Sequence, residues 1–264
     1  MVDRPGRMEG KIALITGGAS GLGKASAELF VEEGGQVMIA DINEAGGKAV
    51  AEAFGEAGGF TPLDVTDEES WIAAIAATKA RFGGFHVLLQ SAGIALTANV
   101  TEISMEDWRR VHAIDLDGVF LGCKHGVPAI AETIADPGLG SSSGSIVNIS
   151  SIAGVIAGHN MAAYNSAKAG VRHLSKSVAL HCARQGLDIR CNTIHPTFVD
   201  TPILDRHKER FGAEEALKKL ARQVPIGRVG QPREVAYSIL FLACDESSYT
   251  TGSELFVDGG IAAM

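Results

Sequence analysis

One glycine-rich turn constrains the fold of this chain more than any other feature. The stretch KIALITGGASGLG (11–23) begins as an apolar run, becomes rich in glycine and leads into a helical pattern. Gly17, Gly21 and Gly23 have no Cβ, so a pyrophosphate can approach backbone N–H groups at the positive end of the helix. The stretch predicts strand, phosphate loop and helix, although the glycines alone also suit an ordinary loop.

A second apolar run, QVMIAD (36–41), ends in an acidic residue about twenty positions beyond the loop. A dinucleotide-binding fold places its ribose-binding carboxylate there, which predicts that Asp41 accepts hydrogen bonds from the adenosine ribose. A 2′-phosphate would meet like charge at Asp41, and Ser20 and Ile42 supply no compensating positive charge. The pattern therefore favours NAD over NADP. The alternative is that Asp41 only caps a following helix at 43–54.

Composition excludes several classes of protein. The 264 residues are 46% apolar and 20% charged with a net charge of −8, which indicates a globular core and argues against nucleic acid. No apolar run reaches the roughly 18 residues that cross a bilayer, and no signal sequence precedes the first strand, so we expect a cytoplasmic protein. The cysteines lack metal-ligand or disulfide spacing, and no metal is expected; they are Cys123, Cys182, Cys191 and Cys244.

Strand and helix patterns alternate along the whole chain. They predict one doubly wound α/β domain of the Rossmann type over 1–264, a seven-stranded parallel sheet with helices on both faces. A mixed segment at 197–229 follows the sixth strand and is a candidate substrate lid. The predicted strands lie within 11–16, 36–41, 58–65, 86–93, 144–151, 188–196 and 253–260. The later helices are predicted at 43–57, 67–82, 104–125, 162–185, 213–224 and 233–244.

The stretch YNSAK (164–168) carries the clearest chemical signal. Its helix places Tyr164 and Lys168 four residues apart on one face, so both can approach the same ligand atoms. A neighbouring ammonium favours the phenolate and is expected to lower the tyrosine pKa. Ser151, at the end of the preceding strand, can then hold a substrate oxygen. An exposed helix pair is the alternative interpretation.

Together TGGASGLG (16–23), Ser151 and YNSAK resemble the short-chain dehydrogenase/reductase family over essentially the whole chain. The resemblance implies that Thr16 and the glycines bind the dinucleotide, Asp64 meets the adenine and Ser151 orients the substrate. It makes Tyr164 the acid/base and Lys168 the ribose ligand. The cofactor contacts expected are Gly17, Ser20, Gly21, Leu22, Gly23, Asp41, Ile42, Asp64, Val65, Ser91, Ala92, Gly93, Tyr164, Lys168, Pro196, Thr197, Val199 and Thr201.

Three positions depart from the family pattern. Where the family has an Asn-Asn-Ala-Gly turn, this chain has Gln-Ser-Ala-Gly at 90–93. Where the family has Pro-Gly after the sixth strand, this chain has Pro196 and Thr197. Asp115 stands where the family has an asparagine that is counted as catalytic. If the family asparagine acts through its backbone carbonyl, which holds a water in a proton relay to the lysine, Asp115 can replace it. If the side-chain amide of the asparagine is needed, that relay is weaker with Asp115. An added carboxylate near Lys168 would also support its charge, so we count Asp115 among the catalytic residues.

The resulting functional hypothesis is an NAD-dependent dehydrogenase that interconverts a secondary alcohol and a ketone. IHPTFVDTPI (194–203) and the closing strand are similar to bacterial hydroxysteroid dehydrogenases, which favours a hydroxysteroid or another cyclic alcohol. A 3-oxoacyl-type ketoreductase and a non-catalytic nucleotide sensor are the alternatives. The expected substrate contacts are Ser151, Ile152, His159, Tyr164, Phe198, Ile203 and Leu204. For His159 the alternative is a merely solvated position, which is the commoner one for a histidine in a loop.

A homotetramer, or at least a homodimer, is the expected assembly. The helices at 104–125 and 162–185 carry small and apolar residues on more than one side, namely Val119, Ala163, Ala167 and Val171. We expect some of them, and the apolar tail at 261–264, to meet another subunit through two distinct surfaces. The alternative is that these residues pack inside one chain.

Overall fold

The computed structural model describes residues 6–264, and in that range seven parallel strands form one sheet flanked by nine α-helices. The strand order is β3-β2-β1-β4-β5-β6-β7. The strands are β1 (Ile12–Thr16), β2 (Gln36–Asp41), β3 (Gly58–Pro62), β4 (Val87–Gln90), β5 (Gly144–Ile149), β6 (Ile189–Pro196) and β7 (Glu254–Val257). This is the doubly wound, Rossmann-type architecture expected from the alternating pattern, and its seven-stranded parallel sheet is confirmed.

The helices cover both faces of the sheet. They are α1 (Gly21–Glu32), α2 (Glu44–Ala53), α3 (Glu68–Phe82), α4 (Met105–His112), α5 (Gly118–Ile134), α6 (Ala162–Arg184), α7 (Asp205–Phe211), α8 (Ala213–Ala221) and α9 (Pro232–Ala243). The strand order reverses direction between β1 and β4, which opens a crevice at the carboxyl ends of these strands.

Alternation of side chains along the strands builds the two halves of the core. In β1, Ala13 and Ile15 belong to the apolar layer that contains α1 and α9, whereas Ile12 and Leu14 belong to the layer that contains α3 and α5. Both faces of the central strands are therefore buried, as expected for a parallel sheet covered by helices.

The helix expected at 104–125 is wrong in its bounds. Two helices occupy the region: α4 ends at His112, a π-helical turn covers Ala113–Asp117, and α5 runs on to Ile134. Pro128 lies inside α5 and removes one backbone hydrogen bond, but buried Val127 and Ile130 hold the helix against the sheet on either side of it. Tertiary packing thus carries the helix past the proline.

The residues expected to face another subunit pack inside the chain. Val119, Ala163, Ala167 and Val171 are each at most 3% exposed. The alternative of internal packing is correct for these four side chains, because the helices that carry them are covered by neighbouring helices and the sheet. Over residues 6–264, no helix is both long and apolar enough to cross a bilayer.

Candidate active site

The glycine loop lies at the carboxyl end of β1 and is held in place by close backbone contacts. Gly17 has φ of +66°, a conformation that suits glycine, and a Cβ there would lie 2.8 Å from the Ala92 nitrogen. A Cβ at Gly23 would lie 2.3 Å from the Gly17 carbonyl oxygen. The loop therefore closes tightly on itself and on the segment after β4, which only small residues permit.

The first turn of α1 leaves its backbone donors free of side-chain caps. Ser20 precedes the helix, yet its side chain makes no capping hydrogen bond, and the turn contains no acidic residue. Unsatisfied N–H groups at a helix start bind anions well. Leu22 packs at the edge of the core, and the exposed Ser20 hydroxyl and the backbone N–H groups remain available at the expected pyrophosphate site.

Asp41 lies beside the glycine loop, as its position at the end of β2 predicts. Its carboxylate accepts hydrogen bonds from the Ala19 nitrogen at 3.0 Å and from the Asn43 nitrogen at 2.8 Å. The cap of α2 is Asn43, whose side chain accepts from the Gly46 nitrogen, so the alternative that Asp41 caps this helix is wrong. The neighbouring Ile42 is exposed and neutral.

Thr16 connects the glycine loop to the turn after β4. Its hydroxyl oxygen accepts hydrogen bonds from the backbone nitrogens of Ser91 and Ala92, both at 3.1 Å, and the residue is 1% exposed. Both lone pairs of the oxygen are thereby used. The resemblance implies that this threonine binds the dinucleotide, whereas the geometry makes it a positioning residue between two loops.

The Ser151 hydroxyl lies beside the Tyr164 phenol, and its hydrogen bond to the phenol lowers the pKa of Tyr164. Ser151 follows β5, and its oxygen accepts a hydrogen bond from the Ala153 nitrogen at 3.1 Å, which leaves the hydroxyl proton free to donate. Its backbone carbonyl lies 3.0 Å from His195 Nδ1, so the buried imidazole fixes the strand end. Tyr164 projects from the start of α6 and is 9% exposed.

Lys168 lies one turn beyond Tyr164 and is almost completely buried. Its Nζ donates to the Ile149 carbonyl oxygen at 3.1 Å and lies 5.7 Å from the centre of the Tyr164 ring. The carbonyl group and one carboxylate are its acceptors, and an ammonium has three protons. At least one donor therefore remains for a ligand.

Asp115 supplies that carboxylate from the π-helical turn before α5. Its Oδ2 lies 3.2 Å from Lys168 Nζ, its Oδ1 accepts from the Ile94 nitrogen at 2.8 Å, and the side chain is fully buried. A Cβ at Gly93 would lie 3.3 Å from the same Nζ, so this glycine lets the backbone approach the ion pair. The expected proximity of Asp115 to Lys168 is present.

The charges in the site act on Tyr164 in opposite directions. Burial raises the pKa of the Tyr164 phenol, the Lys168 ammonium lowers it, and the Asp115 carboxylate raises it again. The net pKa is above the ordinary tyrosine value, so the expected lowering is not what the chain alone produces. Burial lowers the pKa of Lys168, but the negative charges of Asp115 and Tyr164 together outweigh burial, so the pKa of Lys168 is raised and the lysine stays charged.

The segment after β6 reaches back to the glycine loop. A Cβ at Gly21 would lie 3.5 Å from the Thr201 side chain, and Val199 pairs with Gly230. The Thr197 hydroxyl is buried and has no hydrogen-bond partner in residues 6–264. An orphaned hydroxyl after Pro196 and the glycines of the loop fit a dinucleotide that runs from α1 toward Tyr164.

Asp64 and Val65, the contacts expected near the adenine, follow β3. Asp64 is exposed and accepts hydrogen bonds at one carboxylate oxygen from the Thr66 nitrogen and hydroxyl. Val65 is buried against Gly118, and its carbonyl accepts from the Trp71 indole at 3.0 Å. Asp64 thus keeps one oxygen for a ligand, while Val65 contributes backbone and packing.

The expected substrate contacts separate into two apolar clusters. Ile152 packs with Val224 and Ile261, and Leu204 packs with Leu220 in a second cluster. Phe198 contacts both clusters and joins them, whereas Ile203 and His159 are exposed. The structure therefore brings Ile152 and Phe198 together beside Ser151, but it places Leu204 in the packing of the segment at 197–229.

Several positioning groups have no signal in the side-chain pattern of the sequence. The Ile149 carbonyl and the Ile94 nitrogen act through the backbone. Gly154 allows the turn after Ser151 to meet α6, because a Cβ there would lie 2.8 Å from the Lys168 carbonyl. His195 is interpretable from sequence only as a structural residue at a strand end. No cluster of potential metal ligands occurs in the part of the chain that the structure describes.

Comparisons with known proteins cover nearly the full chain. The family model described as enoyl-(acyl carrier protein) reductase matches residues 17–262. An NADP-dependent (R)-specific alcohol dehydrogenase of Lentilactobacillus kefiri is 38% identical over 98% of this chain and 99% of its own. A 3-beta-hydroxysteroid dehydrogenase of Comamonas testosteroni is 37% identical over 98% of both chains. Ligand-free aldohexose dehydrogenase of Thermoplasma acidophilum matches with a TM-score of 0.85 at 32% identity, covering 98% and 96% of the two chains.

The two hydrogen bonds from the Ser91 and Ala92 nitrogens to the Thr16 hydroxyl can be tested by substitution of Thr16. Thr16→Val removes the shared acceptor and leaves two backbone N–H groups unpaired, so the affinity for NADH is expected to fall by about tenfold. Thr16→Ser keeps the oxygen and is expected to bind like the unaltered protein. Titration of NADH fluorescence measures both, and equal affinities of Thr16→Val and Thr16→Ser would contradict a positioning role for the hydroxyl.

Proposed function

The chain belongs to the short-chain dehydrogenase/reductase family, and on that premise we propose that it is an NAD-dependent dehydrogenase of cyclic secondary alcohols. Membership makes it an oxidoreductase that acts on CH–OH groups of a small molecule with a nicotinamide cofactor. The proposal adds the choice of NAD, the substrate class and the residue roles. The observation that carries it is the convergence of Ser151, Tyr164 and the buried Lys168 at the carboxyl end of β5.

Each residue has a distinct task in the proposed mechanism. When bound, the nicotinamide accepts or supplies the hydride at the carbinol carbon. Ser151 donates its free proton in a hydrogen bond to the substrate oxygen, and Tyr164 takes the hydroxyl proton in oxidation or returns it in reduction. Lys168 holds the cofactor ribose with its remaining donor and stabilises the phenolate by its charge. Asp115 holds Lys168 in place.

Apolar surroundings favour a cyclic and largely apolar substrate. Half-buried Phe198 packs on the apolar cluster that contains Ile152, the residue after Ser151, and a relative named as a 3-beta-hydroxysteroid dehydrogenase is similar over 98% of the chain. We further propose a single catalytic domain over 1–264 in which residues 197–229, with α7 and α8, act as the substrate lid. Turnover of a 3-oxoacyl thioester in preference to cyclic ketones would contradict the substrate class.

Loss of the phenolic oxygen tests the proton-transfer role. Tyr164→Phe is expected to lower kcat/KM for a cyclic secondary alcohol by about 100-fold or more while NAD binding is retained. Lys168→Ala is expected to lower both kcat/KM and the affinity for NAD, because the ammonium contacts the cofactor ribose and stabilises the phenolate in the proposed mechanism. Tyr237→Phe, a change at a half-exposed tyrosine of α9, is the matched control and is expected to leave the rate unchanged. Near-normal turnover of Tyr164→Phe would refute the mechanism.

Cofactor choice is expected to follow Asp41, although the L. kefiri relative is named NADP-dependent. The carboxylate at the loop repels a 2′-phosphate, so kcat/KM with NAD is expected to exceed that with NADP by about tenfold or more. Asp41→Ala combined with Ile42→Arg is expected to shift the ratio toward NADP. Asp64→Ala is the control, since the adenine is common to both cofactors and their ratio is expected to stay constant. A preference of the unaltered protein for NADP would overturn the assignment.

We propose a homotetramer, or at least a homodimer, in which other residues of the two long helices replace the four buried ones and the tail at 261–264 keeps its expected role. Phe120 on α5 and Leu180 on α6 are 49% and 64% exposed, and the chain end exposes Tyr249 and Met264. Two such surfaces are needed for a tetramer, whereas one gives a dimer. Light scattering of the purified protein is expected to give a multiple of 27.5 kDa. A mass equal to one chain at micromolar concentration would contradict both forms.

A further inference from the structure

The ion pair between Asp115 and Lys168 has a consequence for Tyr164 beyond holding the lysine. Both members are buried, with Oδ2 of Asp115 at 3.2 Å from Nζ. The charge of Lys168 acts on Tyr164 across 5.7 Å to the ring centre. A carboxylate this close to the ammonium cancels much of the field that the ammonium exerts on the phenol, because little water intervenes to screen either charge.

Few other ionisable groups face this pair. Tyr164 and Lys168 come from α6, and His112 comes from the last turn of α4. His112 is engaged elsewhere, with Nε2 at 3.0 Å from the Ser166 hydroxyl and Nδ1 at 2.9 Å from the Trp108 carbonyl. The segment after β4 contributes only the Ile94 backbone nitrogen to Asp115. Asp115 is therefore the one carboxylate, in residues 6–264, whose charge acts on Tyr164.

We propose that Asp115 is a positioning and tuning residue that keeps Tyr164 protonated to higher pH than a neutral residue at position 115 would. The inference rests on the proposed function, in which Tyr164 transfers the proton. A protonated phenol is the form that ketone reduction requires, and a phenolate is the form that alcohol oxidation requires. The carboxylate thus moves the pH range of both reactions upward.

Direct titration of the phenol tests this in the cofactor-free protein. The chain has three tyrosines, and Tyr237→Phe with Tyr249→Phe removes the two exposed ones, so tyrosinate absorbance near 295 nm then reports Tyr164 alone. In that background Asp115→Asn is expected to lower the titration midpoint by about 1 pH unit or more, because Lys168 then acts without a counter-charge. An unchanged or higher midpoint would overturn the proposal.

A neighbouring residue provides the matched control. Asp117 lies in the same π-helical turn and is exposed, so Asp117→Asn changes the net charge equally and is expected to leave the midpoint unchanged. An equal shift in both variants would show an effect of net charge and would contradict the proposal. If near-ultraviolet circular dichroism shows that Asp115→Asn is unfolded, Asp115→Ser serves in its place with the same expectation.

The pH profile of kcat/KM distinguishes a failure of the role proposed for Asp115 from a failure of the proposed function. With a cyclic alcohol and NAD, the rise of kcat/KM with pH is expected to move to lower pH in Asp115→Asn by the shift seen in absorbance. Turnover with an unmoved profile would refute the tuning role and leave the proposed function standing. Absence of turnover in the unaltered protein would refute the proposed function, while the absorbance titration would still decide the role of Asp115.

Discussion

The buried ammonium of Lys168 is the charge on which the proposed active site depends. A charge removed from water is costly unless it is paired and hydrogen-bonded. Here the Ile149 carbonyl accepts a hydrogen bond and the Asp115 carboxylate supplies the opposite charge, which leaves at least one donor for the proposed ribose contact. The ammonium can then act on Tyr164 in an environment of low dielectric constant, where its charge has a large effect.

Close backbone contacts connect this charge to the cofactor loop. Thr16 ties the end of β1 to Ser91 and Ala92, and Gly93 in the same segment lies against the Lys168 and Asp115 pair. A displacement of the glycine loop would therefore shift the segment at 91–93 and with it the surroundings of the Lys168 ammonium. Small side chains and one hydroxyl thus set the distance between the proposed phosphate site and the proposed proton-transfer site, which a single dinucleotide must span.

Sequence patterns predicted the sheet and the motif residues better than they predicted what those residues contact. β2 has the predicted bounds, and Tyr164 and Lys168 share a helix face, because these features follow from local periodicity. The continuation of α5 past Pro128 and the burial of Val119 depend on packing against distant segments. The pKa of Tyr164 depends on the burial of three side chains together, which no local pattern encodes.

Transfer of a labelled hydride tests whether the protein oxidises a cyclic secondary alcohol with NAD. The protein is incubated with NAD and a cyclic secondary alcohol deuterated at the carbinol carbon, and the reduced cofactor is analysed by mass spectrometry. We expect the cofactor to be reduced and to carry the deuterium, because in the proposed mechanism the hydride passes directly from carbon to nicotinamide while Tyr164 takes only the hydroxyl proton. Reduced cofactor without deuterium, or no reduction across a panel of cyclic alcohols, would contradict it.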